Sequence, residues 1–343
     1  MKKIKMGIIG AGVWGRTHAF LYKEDPRVEL KAICDKDENK AKTIAKTFNI
    51  SNVYLNHTEM LKNCDLDAVA VVTPDFAHRE LVVDCALAGK HILVEKPLAT
   101  TREDVQAIVE AVNKAKVRIM VDFHNRWNPP FTLTKESIKN GDIGEPSNAY
   151  YRLNDIKWVA TDMLPWAEKS SILWFLGSHS VDSLRWLFED EVEEVFSMSK
   201  SGILQALGVN TKDIYQTILR FKKGYIATME NGWITPNKNP CINDIKFSIT
   251  GSRGMINLDL SHSQMIDRIT EEKEDRPDIL VNHFVHGKAK GFAYESIRHF
   301  VDRLVDGDDF YVSLEDAVNT TLTILSIMES ADSGKMVKVD YKY

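Results

Sequence analysis

Clustered cysteine is missing from this chain. Its four cysteines, Cys34, Cys64, Cys85 and Cys241, stand far apart and form no CxxC pair. That spacing excludes a thiolate zinc site of the usual kind and predicts a reducing compartment. Clustered basic charge is missing too. The formal net charge is -5 and no Lys/Arg block rises above the scattered background, which argues against a nucleic-acid surface. No apolar run approaches the roughly 20 residues that a membrane span needs. The opening MKKIKMGIIGAG has lysines before an apolar stretch, as a signal peptide does. The stretch is short and runs into glycines rather than a cleavage site. We read it as a first β-strand in a cytoplasmic protein with no membrane or nucleic-acid partner. Repeats and low-complexity segments are absent as well. What is present, 343 residues with 44% hydrophobic and 27% charged, predicts two globular domains.

The first third alternates strand and helix. Apolar runs at Ile4–Ile9, Val28–Cys34, Ala68–Val72, His91–Val94 and Val117–Asp122 predict strands. Helical patterns lie between them, near Thr17–Lys23 and at Asp37–Phe48, Phe76–Ala88 and Thr101–Lys114. The alternation predicts an α/β domain over residues 1–123, a doubly wound parallel sheet of the Rossmann kind. Gly10-x-Gly12-x-x-Gly15 falls after the first strand, where a dinucleotide fingerprint belongs. Gly10 permits the tight turn, Gly12 lets backbone approach a pyrophosphate, and Gly15 allows close helix–strand packing. Asp35 follows about 20 residues on, at the end of the second strand, where a carboxylate binds ribose hydroxyls. It would repel the 2′-phosphate of NADP, so NAD is the expected cofactor, with Lys36 leaving NADP open.

Three further stretches end strands on the rim where ligands bind in open α/β sheets: TPDFAH from Thr73 to His78, EKP from Glu95 to Pro97, and HNRWNP from His124 to Pro129. GAGVWG, TPDFAH, EKP and RWNP, in this order and spacing, resemble the Gfo/Idh/MocA family. These are NAD(P)-dependent oxidoreductases acting mostly on sugars and cyclitols. The resemblance spans essentially the whole chain, and EKP is its most specific element. It implies that Lys96 touches both the nicotinamide and the reacting hydroxyl, and that the Lys96–Pro97 bond has an unusual geometry. A lysine in a partly desolvated site can polarise an alcohol or share its proton. The implied cofactor contacts are Gly10, Gly12, Val13, Trp14, Gly15, Asp35, Thr73, Pro74, His78, Glu95, Lys96 and Arg126. His124 and Asn125 are expected to shape the floor near the nicotinamide.

From residue 124 the pattern changes. Pro129 and Pro130 break the chain, and strands follow strands: Val192–Lys200, Asp213–Phe221, Tyr225–Ile234, Asp244–Thr250 and Met255–Leu260, with Gln264–Thr270 and Met336–Asp340 as further strands. Lys222-Lys223-Gly224 signals a turn. Ser170–Phe188, Ala293–Val305 and Leu314–Ser330 read as helices, the last opened by the cap pair Ser313-x-x-Asp316. Glu271–Asp278 reads as a solvated loop. Residues 124–343 are thus expected to form an α+β domain with a large, mainly antiparallel open sheet. By the resemblance that sheet is a subunit interface, giving a homodimer or homotetramer, and the domain binds the substrate. Trp158 and Trp166 sit among polar neighbours near Pro165 and are the tryptophans best placed to stack on a polyol.

Within Ser170–Phe188, the residues Phe175, His179, Asp182 and Trp186 form a stripe beside the apolar one. Spacing alone makes His179 a core or capping histidine. The resemblance makes it the catalytic base, since the family shows an Asp, a Gly two residues on, and a His two further. Gly177 and His179 match the last two; the Asp position holds Phe175. Asp182 is expected to hydrogen-bond His179 or nearby backbone, and Phe175 to present an apolar wall to the substrate. The expected activity is NAD-dependent hydride transfer at a CH–OH or ketone group of a sugar, sugar derivative or cyclitol. Lys96 and His179 carry the proton chemistry, and no metal takes part. Phe175 keeps open a second reading, a dinucleotide-binding sensor of the same fold with weak or no turnover. A third is an oxidoreductase with tightly held cofactor that shuttles between two sugars.

Overall fold

The computed structural model describes residues 3–261, 266–272 and 274–343. The chain forms two compact units. Met1–His124, Ala293–Val318 and Tyr343 make the first; Asn125–Phe292 and Asn319–Lys342 make the second.

The first unit holds β1 (Ile4–Ile9), α1 (Val13–Glu24), β2 (Val28–Cys34), α2 (Glu38–Phe48), β3 (Asn52–Tyr54), α3 (His57–Asn63), β4 (Ala68–Val71), α4 (His78–Leu87), β5 (His91–Val94), α5 (Arg102–Ala115) and β6 (Ile119–Val121). The strands pair in parallel in the order β3-β2-β1-β4-β5-β6. All four residues of β4 are fully buried, as expected of a strand covered on both faces. The strand order reverses beside β1, so the glycine-rich turn after β1 lies at the point where such sheets bind ligands. Asp37 caps α2 by accepting from the Asn39 and Lys40 amides, and Thr101 caps α5 through the Asp104 amide. The sequence reading lacked β3 and α3, which are short, and β3 is only half-buried. It also started α1 four residues late.

A single boundary at residues 123 and 124 does not anticipate the return of the chain to this unit. Residues 293–318 carry most of α9 (Phe292–Asp306, numbered with the elements below) and the cap that opens the last helix. The Arg118 guanidinium donates to the Arg303 carbonyl at 2.6 Å, and Arg27 pairs with Asp302 at 2.7 Å. The Ser313 and Asp316 side chains each accept from the other's backbone amide at 3.0 Å, the reciprocal cap expected from the sequence.

The second unit contains α6 (Pro129–Lys139), β7 (Pro146–Ile156), α7 (Ser178–Phe188), β8 (Val192–Lys200), the short α8 (Ile203–Ala206), β9 (Ile214–Phe221), β10 (Ile226–Thr235), β11 (Asn243–Gly251) and β12 (Met255–Asp259). Two small hairpins follow, β13 (Arg268–Ile269) with β14 (Glu274–Asp275) and β15 (His283–Val285) with β16 (Lys288–Lys290). After α9 come α10 (Leu314–Ser333), which begins in the first unit, and β17 (Val337–Lys338). The large sheet runs β12-β11-β7-β10-β9-β8-β17, antiparallel except where β7 meets β10. β9 alternates buried and exposed residues, with Tyr215, Thr217, Leu219 and Phe221 inward, the period of a sheet covered on one face. Phe131, Tyr151 and Phe247 pack ring to ring in its core.

Three expectations change here. Pro129 and Pro130 begin a helix instead of breaking the chain, because proline in the first turn lacks only an amide that has no helical partner anyway. β7, an interior strand of the sheet between β11 and β10, was not anticipated. Ser170–Phe188 is not one regular helix: Leu173–Gly177 forms a widened π-type turn, and α7 starts at Ser178. Of the expected strand Gln264–Thr270, Arg268 and Ile269 are extended, while Gln264 and Met265 lie outside the described residues. The stretch Glu271–Asp278 contains β14, and its Lys273 lies outside them too. Among the described residues no helix is long and apolar enough to cross a membrane.

Candidate active site

In the first unit the turn after β1 tests the three glycine roles. Gly10 has φ +110°, and a Cβ there would lie 2.2 Å from the Val72 carbonyl oxygen. A Cβ on Gly15 would lie 2.0 Å from the Gly10 carbonyl oxygen. Gly12 is different: a Cβ there meets nothing within 4 Å. It opens the backbone to solvent at the start of α1, where no side chain caps the helix amides. Val13 beside it is 79% exposed. Uncapped amides, a helix N-terminus and an open glycine are the surroundings that a pyrophosphate needs, so these residues fit a dinucleotide. Asp35 is held at the end of β2 by two amides, Oδ2 accepting from Ala11 at 2.6 Å and Oδ1 from Asp37 at 2.8 Å. Each oxygen retains a lone pair for a ribose hydroxyl.

The other strand ends of this unit bring Thr73, Pro74, His78, Glu95 and Lys96 to the same edge of the sheet. The Lys96–Pro97 bond is cis. His78 is fully buried; its Nδ1 lies 2.7 Å from the Pro97 carbonyl oxygen and its Nε2 3.0 Å from that of Thr73. Its place is that of a brace between the TPDFAH and EKP turns. The Thr73 hydroxyl is buried and makes no hydrogen bond within the protein. The His124 ring stacks on Trp14, centroids 6.0 Å apart. Burial pushes the His124 imidazole down to about 4, outweighing the Glu95 carboxylate, so it is neutral at ordinary pH. Glu95 lies against His18, Oε1 to Nε2 3.4 Å. The sequence reading passed over His18, although it sits three residues beyond Gly15 on the helix that the fingerprint opens.

In the second unit Arg126 and Asp182 make a buried bidentate pair. Arg126 Nε donates to Asp182 Oδ2 at 3.0 Å and Nη2 to Oδ1 at 2.6 Å, with side chains 5% and 1% exposed. Both oxygens of Asp182 are thus engaged by a partner 56 residues away, which the sequence reading did not foresee. Asn125 donates to the Tyr151 hydroxyl at 3.3 Å. His179 lies in the first turn of α7 and is 5% exposed. Gly177 just before it admits side chains: a Cβ there would lie 2.9 Å from Leu173 Cδ2 and 3.4 Å from both Asn231 Oδ1 and Ile324 Cδ1. Asn231 in turn donates to the Ser180 hydroxyl and the Leu153 carbonyl, each at 3.1 Å, and ties α7 to the sheet. Phe175 lies in the widened turn, its ring 6.4 Å from those of Trp166 and Trp233. Trp233 is fully buried and Trp166 half-buried, while Trp158 is 40% exposed. A separate surface hollow near Lys135, Glu145, Lys223 and Arg253 is lined by none of the candidate residues.

Comparison with known proteins matches both parts of the chain. Residues 4–123 match the NAD-binding Rossmann domain of the GFO/IDH/MocA oxidoreductase family, and residues 131–257 match a GFO/IDH/MocA C-terminal domain. The myo-inositol 2-dehydrogenase of Thermotoga maritima is 27% identical over 98% of this chain and 99% of its own. The levoglucosan dehydrogenase of Pseudarthrobacter phenanthrenivorans is 29% identical over 75% of this chain and 73% of its own. The crystal structure of a probable dehydrogenase from Thermotoga maritima superposes with a TM-score of 0.83 at 27% identity, covering 98% of this chain and 99% of that one.

Proposed function

The chain belongs to the GFO/IDH/MocA family of NAD-dependent oxidoreductases, and from that premise we propose that it oxidises a ring hydroxyl of a cyclitol or sugar. The observation that carries the proposal is in the first unit. A dinucleotide turn with one open glycine and Lys96 end strands of the same parallel sheet. The full-length likeness to a myo-inositol 2-dehydrogenase supports a polyol substrate.

Bound NAD supplies the hydride acceptor; the protein supplies binding and proton transfer. Gly12 and the first amides of α1 hold the pyrophosphate, and Asp35 holds the ribose. Lys96 polarises the substrate hydroxyl. His179 accepts its proton, a role suited to an imidazole because its ordinary pKa is near neutrality. The Arg126–Asp182 pair fixes α7 to the segment before α6, and so sets where His179 points. Phe175 and Trp166 offer aromatic faces to the C–H side of a ring, in place of the acid that the family commonly carries at position 175. A dinucleotide sensor without turnover stays as the alternative outcome of the test.

We place the protein in the cytoplasm as a homodimer or homotetramer. The outer face of the large sheet supports the assembly: it carries Met198, Ile218 and Ile226, 66%, 51% and 49% exposed. The test is a screen for NAD+ and NADP+ reduction over inositols, aldoses and anhydro-sugars, with Lys96→Ala as control. Reduction of NAD+ with a polyol that disappears in Lys96→Ala is expected. NADH binding without turnover on any panel member would favour the sensor, and full activity in Lys96→Ala would remove the assigned role of the lysine.

A further inference from the structure

Around Glu95, the residue before Lys96, the first unit buries three titratable side chains that the proposed chemistry leaves unused. His18 on α1 is 1% exposed, Glu95 after β5 is 9% exposed, and Asp122 after β6 is fully buried. One ligand atom from each lies within 4.8 Å of the others. His18 Nδ1 is 3.1 Å from the Tyr22 hydroxyl, and its Nε2 faces Glu95. Asp122 Oδ1 is 2.5 Å from the Ser296 hydroxyl, which α9 brings in from 174 residues away. Asp122 Oδ2 is buried and makes no hydrogen bond.

The Ser296 hydroxyl decides how this cluster is charged. It has one hydrogen and two acceptors, Asp122 Oδ1 and the Ala293 carbonyl oxygen at 3.1 Å. If Asp122 is ionised, the two compete for that hydrogen, and an anionic oxygen is left buried without a donor. If Asp122 carries a proton on Oδ1, it donates to Ser296, and Ser296 donates to Ala293. Only a neutral carbonyl oxygen is then unsatisfied, which costs much less than a buried charge. A second carboxylate beside Glu95 would add like-charge repulsion. Burial and the Glu95 charge together push the Asp122 carboxyl well above its ordinary range, against Ser296 and Lys96. Burial raises Glu95 too, but the His18 hydrogen bond and the Lys96 charge oppose it, and Glu95 is held below the usual range. Tyr22 stays neutral, raised first by burial and then by the Glu95 charge.

We propose that Asp122 works as a neutral, protonated carboxyl, a positioning residue that with Ser296 and His18 keeps Glu95 as the one anion facing Lys96. One carboxylate balances the lysine charge; two would bind its proton too tightly for exchange with a hydroxyl. The functional half of this inference rests on the role of Lys96 proposed above. The three ligand atoms would also suit a divalent cation, but Lys96 already supplies positive charge to both carboxyls.

Two measurements need no turnover. Infrared difference spectra of the full-length protein against Asp122→Asn should show a protonated-carboxyl C=O band that the variant lacks. Thermal unfolding should show Asp122→Asn at least as stable as the parent at about pH 8. The sign follows from the raised folded-state pKa. The native state holds a proton that the unfolded chain releases above the ordinary carboxyl range, so parent stability falls as pH rises, and asparagine removes that loss. The advantage should shrink toward about pH 4. In kinetics, Asp122→Asn should keep kcat and its pH profile, whereas Glu95→Gln should move the limb set by Lys96 down by about one unit or more. No lost band, a variant less stable at the higher pH, or a co-purifying metal whose removal abolishes activity would each overturn the protonated Asp122. If the band and stability results hold while Glu95→Gln leaves the profile unmoved, it is the assigned role of Lys96 that fails.

Discussion

The glycine turn of the first unit offers a ligand mainly backbone groups, whereas the candidate site residues of the second unit are set by side-chain pairs. At Gly10 and Gly15 a single Cβ would strike a carbonyl oxygen, and at Gly12 it would meet nothing. The candidate ligand-facing groups are amides of a turn and a helix start, fixed by the six residues from Gly10 to Gly15. In the second unit Arg126 and Asp182 meet across 56 residues, and Gly177, Asn231 and Ser180 meet across a helix and a strand. A backbone site is specified by where side chains are absent. A side-chain site is specified by pairs, and it fails when one member is lost.

The pair in the second unit should be the most fragile. Arg126→Ala takes the guanidinium away from the buried Asp182 carboxylate, with an expected loss of about 3–5 kcal/mol in denaturant unfolding. Replacing both, Arg126→Met with Asp182→Leu, should recover most of that loss, because the buried carboxylate is gone as well. An equal loss in the double variant would show that the pair is not what holds α7. In the first unit, Gly15→Ala should cost about 1–3 kcal/mol through overpacking, with NAD binding weakened alongside. Gly12→Ala should leave the melting temperature in place and weaken NAD binding by about tenfold, or roughly 1.4 kcal/mol, read by titration. Equal effects of the two alanines on stability would erase the distinction between a packing glycine and an open one. The smallest effect is expected at His124. Its imidazole is already neutral above about 4, so His124→Gln should leave the neutral-pH rate profile where it is.

The same contrast explains what could be read from the sequence. The parallel sheet, the glycine turn and Asp35 are local patterns, so they were legible in residues 4–122. The cap at Ser313 and Asp316 and the turn at Gly224 were legible for the same reason. β7 carried a signal that was missed: Ala149, Tyr151 and Leu153 alternate inward along it. Pro129 and Pro130 were misread because proline ends a helix in its interior but opens one in its first turn. The Arg126–Asp182 pair, the Asp122–Ser296 contact and the return of residues 293–318 to the first unit left no local trace. Each joins residues far apart in sequence, and polar side chains in a helical or strand pattern do not announce their partners.

The division of labour itself is tested most directly on His179→Ala, by measuring NADH affinity and the single-turnover rate of hydride transfer to NAD+ from the polyol that the screen identifies. The account expects NADH affinity close to that of the parent, and a transfer rate lower by about 10²–10⁴, the usual worth of a general base. An unchanged transfer rate would contradict it, and so would a loss of NADH binding as large as the loss of rate.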